Sequence, residues 1–366
     1  MQQALINENN GLDGVVAGAT VLSHVDGEAG TLILRGHFLE EIAGRIGFEG
    51  IAALLWDDFD DSGGDRDTVS RLFGQARVAA FSLVPGLLQV TQGLTPIEAL
   101  RAGLGMLPDE GPLPAHVRAC GALPVFLPAL LRRAEGKAPV APDPALGTAA
   151  DLLRCLRGTP ASAGHVHALD TYLTTIADHG FNASTFAARV VASTQAGMIS
   201  SLIAGLCALK GPLHGGAPGP VLDMLDEIGT DARIMPWVEE AIMAGDRLMG
   251  FGHRVYKVRD PRADVLKNVV RDLGSHAGRL AFAASVEQAV IAALRRLKPG
   301  RRLDTNVEFY TALMLEAVGI PREAFTPLFA VGRCVGWSAH VMEQERHGRL
   351  VRPLSRYIGP TPKAAA

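Results

Sequence analysis

Apolar residues recur along this chain mostly at intervals of three and four, the period of a helix burying one face. Leu39, Ile42, Ile46, Ile51, Leu54 and Leu55 follow that period, and residues 68–84 continue it as far as Pro85-Gly86. Thr95-Pro96-Ile97-Glu98 reads as a capping box with proline at the first helical position, opening a helix through Met106. Residues 113–133 are broadly apolar but contain Pro114, Pro124 and Pro128, which predicts broken or kinked helices there. Further helices are predicted over 148–156, 169–176, 221–228, 236–248, 265–280 and 286–297. Another begins around Val307 and ends by Pro321, and one runs from Thr326-Pro327 to about Arg346. A long helix starting at 183–185 is expected to run on to the stop at Lys210-Gly211-Pro212. Strand signals are scarce. Residues 31–35, following the turn-like stretch 26–30, read as half of a small hairpin. The clearest loop spans 136–144, with Pro139, Pro142 and Pro144.

Composition narrows the class. A length of 366 residues suggests two or three domains, and 48% hydrophobic with 20% charged residues describes a soluble globular chain. A net charge of −3 with no basic run argues against a nucleic-acid footprint. Cys120, Cys155, Cys207 and Cys334 lack CxxC pairing and read as reduced, mostly buried thiols of a cytoplasmic protein. The start, Met1-Gln2-Gln3-Ala4, lacks the charged and apolar pattern of a leader. Residues 190–209 carry no charge, yet Ser193, Thr194, Gln195, Ser200 and Ser201 fit a buried helix better than a membrane span. The aspartates from Asp57 to Asp67 lack the spacing of a calcium loop and read as a solvated acidic loop.

The candidate chemistry gathers at a glycine loop, Gly250-Phe251-Gly252-His253, followed by Asp260-Pro261-Arg262. Glycine lets backbone turn sharply and approach a ligand, and Pro261 predicts that Arg262 opens a new helix. His179 lies between Asp178 and Gly180, where it either caps a helix end or faces a ligand. His214 follows a helix stop and precedes Gly215-Gly216, which suits a pocket wall as well as a satisfied buried histidine. Glu308 sits among Val307, Phe309 and Tyr310, so it must be partnered, protonated or functional. Arg333, amid Phe329, Val331, Val335 and Trp337, either snorkels outward or faces an anion. The tail around Arg349, Arg352 and Arg356 is either an ordinary basic terminus or a docked arm. No histidine or cysteine pair has the spacing of a preformed metal site, and no dinucleotide or P-loop fingerprint is present.

Gly250-Phe251-Gly252-His253 with Asp260-Pro261-Arg262 resembles the signature of the citrate synthase family. The stretch Lys210-Gly211-Pro212-Leu213-His214-Gly215-Gly216-Ala217 is similar to that family's second histidine loop. Asn306-Val307-Glu308-Phe309-Tyr310 resembles the segment with its catalytic carboxylate, and residues 23–36 look like its opening. The resemblance implies an all-α, mainly helical fold with a short N-terminal β-hairpin. It implies a large domain from residues 1–214 and 313–366, and a smaller closing domain from 215–312.

The resemblance also assigns roles. Glu308 would remove the methyl proton of acetyl-CoA, His214 would stabilise the enol, and His253 would polarise and protonate the carbonyl of oxaloacetate. His179, Arg262 and Arg333 would hold its carboxylates, with Arg352 reaching across from the partner subunit of a homodimer. Met249, Gly250, Phe251 and Gly252 would meet the adenine of coenzyme A, and Arg254 or Lys257 its phosphates. Neither a metal nor a resident cofactor is expected, and neither is a nucleic-acid or membrane partner. Hydrolysis of citryl-CoA would complete a citrate synthase reaction. The rival readings are a 2-methylcitrate synthase using propionyl-CoA and a non-catalytic helical interaction protein. One departure stands out: the family's usual carboxylate is aspartate, and this chain has Glu308, with Asp304 the nearest substitute.

Overall fold

The computed structural model describes residues 11–12, 14–61, 63–214, 218–252, 256, 258–274, 277–298 and 303–360. Strands β1 (Ser23–Asp26), β2 (Thr31–Leu34) and β3 (His37–Phe38) form an antiparallel sheet in that order. Ser23 pairs with Leu34 and Asp26 with Thr31. The hairpin turn is closed by the Asp26 carboxylate, whose Oδ1 accepts from the backbone N–H of Glu28 (3.0 Å) and Ala29 (2.9 Å). Leu32 and Leu34 point inward and are buried, as the alternation requires.

Helices make up most of the remainder. They are α1 (Leu39–Ile42), α2 (Gly47–Trp56), α3 (Arg66–Phe81), α4 (Val84–Val90), α5 (Pro96–Gly105), α6 (Ala115–Ala134), α7 (Thr148–Arg157) and α8 (Ala163–Ile176). Then come α9 (Ala183–Ala192), α10 (Met198–Leu209), α11 (Pro218–Ile228), α12 (Ile234–Ala244) and α13 (Pro261–Leu273). The last are α14 (Ala277–Leu297), α15 (Val307–Val318) and α16 (Phe325–His347). No helix among the described residues is long and apolar enough to cross a membrane.

Several expectations change. The helix predicted over 68–84 ends at Phe81, and a separate one runs through Pro85-Gly86. The one predicted over 265–280 is broken by the left-handed cap Gly274 (φ +65°). Of the broken or kinked helices expected over 113–133, the breaks do not occur: α6 runs continuously through Pro124 and Pro128. It is buried on all sides from His116 to Leu131, so tertiary packing outweighs the local cost of proline. The single helix expected from 183 to 210 is two, α9 and α10, packed against each other. Between them Gln195 (φ +60°) and Gly197 (φ +89°) take left-handed conformations that no helix tolerates, and the chain folds back. Finally, α12 ends at Ala244 rather than 248, because Gly245 (φ +83°) supplies a left-handed cap.

Helix α16 is the axis of the fold, packed by α2, α6, α8, α9 and α10. Gly332 and Gly336, one turn apart on it, face the end of α8. A Cβ on Gly336 would stand 2.1 Å from the Ala177 carbonyl oxygen, and one on Gly332 would stand 2.8 Å from Ile176 Cδ1. The two backbones therefore meet closely, which brings the residues after α8 against Arg333 of α16. Trp337, fully buried, donates from Nε1 to Ser184 Oγ (3.1 Å) and ties α16 to the start of α9.

Candidate active site

The glycine loop is pinned edge to edge on the residues that open α15. Gly252 N–H donates to the Asp304 carbonyl (2.8 Å), and Asn306 N–H to the Gly250 carbonyl (2.9 Å). Asn306 Nδ2 donates to the Gly252 carbonyl (2.8 Å), while its Oδ1 caps α15 by accepting from Glu308 N–H (3.0 Å). Gly250 has φ +84° and packs so tightly on Phe309 that a Cβ would come within 2.9 Å of the Phe309 Cβ. One asparagine thus fixes both the loop and the helix that carries the glutamate. His253, Arg254 and Lys257 lie outside the described residues.

Helix α13 opens at Pro261-Arg262, as predicted, and Asp260 caps it, which the sequence reading did not foresee. Both Asp260 and Arg262 are buried. Asp260 Oδ1 accepts from Arg262 Nε (3.0 Å) and Oδ2 from Nη2 (2.8 Å), a bidentate grip. The same Oδ2 accepts from Val307 N–H (3.2 Å), which binds α13 to α15.

Glu308 is enclosed between these parts. Burial pushes its carboxyl up to about 7, against the opposing attraction of Arg262 and Arg333. Its Oε2 has no hydrogen-bond partner among the described residues. Asp304, the alternative, turns its carboxylate to Thr305 N–H (2.8 Å) and stands 4.0 Å from Arg259. Arg301 and Arg302, which precede it in the sequence, lie outside the described residues.

Arg333 chooses the interior: it is buried, and Nε donates to the Ile176 carbonyl (2.5 Å). Desolvation lowers its guanidinium to about 10, which leaves it a cation at neutral pH. His179 lies just beyond α8, buried, with Nε2 3.2 Å from the Tyr256 hydroxyl. Its neighbour Asp178 is fully buried, and burial alone would raise its pKa. His340, Arg333 and Ser23 outweigh that and hold it at about 2. His340 Nδ1 faces the Arg189 guanidinium (3.0 Å) and so accepts, which leaves its Nε2–H to donate to Asp178 Oδ1 (3.1 Å). His214 Nε2 lies 2.8 Å from Ser184 Oγ, the atom that also receives Trp337.

The structure therefore brings half-buried Glu308 into one charged cluster with the buried Arg262 and Arg333, with His179 beside Arg333's helix and His214 held at the start of α9. Met249, Gly250, Phe251 and Gly252 form the adjoining strand-like edge through the Phe251–Thr305 bridge. Arg352 is not in the cluster: it is exposed on the irregular segment after α16, next to Val351, whose N–H donates to Ser193 Oγ (3.0 Å). Ser193 is at the opposite end of α9 from Ser184.

Sequence reading missed several partners. Ser184, Asn306 and Tyr256 touch predicted site residues across long separations, which no local pattern reveals. Another is Glu287 of α14, which accepts from Arg259 Nη1 (2.7 Å), Thr305 Oγ1 (2.6 Å) and the Tyr310 hydroxyl (2.5 Å). Burial would raise its pKa, but those donors outweigh burial and hold it at about 2. Among the described residues, no group of three His, Cys, Asp or Glu side chains is placed to hold a metal.

The described site thus gathers buried arginines, a buried histidine and a carboxylate with an uncommitted oxygen, residue types suited to acid–base chemistry on an anion. The family model for "Citrate synthase, C-terminal domain" matches residues 11–354, and the chain belongs to the citrate synthase family. Citrate synthase of Haloferax volcanii is 35% identical, over 95% of this chain and 95% of its own. A 2-methylcitrate synthase of Mycobacterium tuberculosis is 33% identical over 95% of this chain and 90% of its own. Among solved structures, the ternary complex of Thermoplasma acidophilum citrate synthase with carboxymethyl coenzyme A and oxaloacetate is 27% identical. It covers 98% of each chain with a TM-score of 0.86.

Proposed function

We propose that this protein condenses acetyl-CoA with oxaloacetate and water to give citrate and coenzyme A. The observation that carries the reading is Glu308, a half-buried carboxylate whose inaccessible Oε2 is uncommitted among the described residues, beside two buried arginines. A group poised at about 7 is matched to proton abstraction near neutral pH, where a positioned base contributes roughly 10²–10⁴-fold. Glu308 takes the methyl proton of the thioester. His214, its imidazole oriented by Ser184, stabilises the enol oxygen. His253 polarises the keto group under attack and protonates it, and water then hydrolyses citryl-CoA.

Arg262 and Arg333 hold the carboxylates of oxaloacetate with His179, and Arg352 completes the site from the partner subunit of a homodimer. The edge from Met249 to Gly252 receives the adenine, with Arg254 or Lys257 on the phosphates. A small domain over 215–312 closes on a large domain formed by 1–214 and 313–366. The extra methylene of Glu308 shifts the base by about one C–C bond, and a 1 Å misplacement can cost roughly 10²-fold. Asn306 caps the helix by accepting from Glu308 N–H and so fixes the backbone from which that side chain extends.

The second reading is 2-methylcitrate synthesis from propionyl-CoA, favoured by the relative of that name. One methylene discriminates by only about 1–3 kcal/mol, so the same residues serve either thioester. Thiol release with oxaloacetate and each acyl-CoA in turn separates the two. Higher kcat/KM for acetyl-CoA supports the first, higher kcat/KM for propionyl-CoA the second, and no release with either thioester rejects both.

A further inference from the structure

One buried polar atom near this cluster has no role in the reaction as described. Tyr172 lies on α8, one turn before Ile176, whose carbonyl receives Arg333. Its side chain is fully buried, and its hydroxyl has no hydrogen-bond partner among the described residues. Glu308 Oε2 is in the same condition. Helix α8 packs directly on α13, α15 and α16, which carry Arg262, Glu308 and Arg333. Those three side chains are the charges that act on the Tyr172 hydroxyl, with Glu308 ahead of the arginines. A donor and an acceptor thus stand unpaired in one enclosed, charged cluster. Protein interiors seldom leave such groups unmade, and an exception calls for a functional explanation.

We propose that Tyr172 is a positioning residue for Glu308: its hydroxyl donates to the glutamate carboxylate when that group ionises, and fixes the rotamer from which the proton is taken. The inference rests on Glu308 being the base and deepens that reading. Both neighbouring guanidiniums have donors committed elsewhere. Arg262 gives Nε and Nη2 to Asp260, and Arg333 gives Nε to Ile176. The groups that face Glu308 are Asp260 and Arg262 from α13, Arg333 from α16 and Tyr172 from α8. Helix α11 also packs on α15, but its Asp223 and Asp226 turn to Arg322. Burial pushes the Tyr172 phenol well up, so it remains a donor wherever the base works. A hydrogen bond to the charged form favours ionisation, opposing the burial that hinders it. Glutamate, with one torsion more than aspartate, gains most from a second fixed point.

The test titrates Glu308 directly in the full-length, ligand-free protein. Glutamate labelled with carbon-13 at the carboxyl carbon is followed by NMR, and the Glu308 signal is identified by its loss in Glu308→Gln. Tyr172→Phe removes only the unpaired hydroxyl, and its thermal midpoint should match wild type. Its Glu308 should titrate about one unit higher than in wild type. The acid limb of kcat should move up equally, with KM for oxaloacetate unchanged. An unmoved Glu308 titration overturns the proposal, and so does a raised oxaloacetate KM with that titration unmoved, which would place the hydroxyl on substrate. The titration needs no turnover. Wild type lacking all thiol release would therefore sink the catalytic reading while leaving the Tyr172–Glu308 pairing to be judged separately.

Discussion

Asp260 grips Arg262 with both carboxylate oxygens, at 3.0 and 2.8 Å, and the second oxygen also takes the N–H of Val307. One buried carboxylate therefore sets the guanidinium offered to substrate and the helix carrying the base. Its negative charge also helps keep the Glu308 pKa up. In Asp260→Asn an amide N–H would confront the donors of Arg262 or Val307. Breaking one side of a buried pair costs about 3–5 kcal/mol, so the thermal midpoint should fall by many degrees. Oxaloacetate affinity should drop at least about tenfold, measured calorimetrically on the folded variant. Unchanged affinity would show that Arg262 needs no such anchor.

Glu308 makes stability and activity pull in opposite directions with pH. Its folded pKa, about 7, lies above the ordinary 4.5. Between those values the folded state holds a proton that the unfolded chain has lost, so stability falls as pH rises through this window. The contribution is on the order of 3 kcal/mol. Glu308→Gln should remove that slope and be more stable than wild type above neutrality, in denaturant titrations at several pH values. The same variant should fail to exchange acetyl-CoA methyl protons with solvent beside a non-reacting oxaloacetate analogue, whereas Asp304→Asn should exchange normally. The reverse pattern would move the base to Asp304.

Close backbone approach at Gly336 is a further vulnerable point. A methyl at this position meets the Ala177 carbonyl oxygen at 2.1 Å and Asp178 Cβ at 3.0 Å. Neither neighbour is a flexible tip that can step aside. Gly336→Ala should destabilise the fold by about 1–3 kcal/mol and displace the 177–179 segment. Oxaloacetate binding should weaken more than coenzyme A binding, because His179 is on that segment. Comparable losses for both ligands would contradict this route.

Arg352, exposed after α16, gives the homodimer proposal its sharpest test. Arg352→Ala and His253→Ala should each be nearly inactive alone. Each mixed dimer of the two should regain one intact site, so a fully exchanged equimolar mixture should recover about a quarter of wild-type activity if each active site draws these residues from different subunits. Subunit exchange proven by mass, with no recovered activity, would place both residues in one subunit.

Residue order alone determined the helical class, the hairpin, most helix ends and the candidates His179, His214, Arg262, Glu308 and Arg333. These depend on neighbours within a turn or two: the period of apolar positions, the proline at 261 that starts a helix, the glycines around His253. Tertiary structure decided what local preference could not. It kept α6 intact through two prolines, because a helix buried all round gains more from packing than each ring removes. It also settled whether Arg333 turns in or out, since the glycine face of α16 admits α8 closely enough for Ile176 to receive the guanidinium. Ser184 reaches His214, Asn306 reaches the glycine loop and Tyr172 joins the charged cluster around Glu308, although each partner is distant in the chain. Such pairings depend on which helix faces meet, and that is fixed only when the whole core closes.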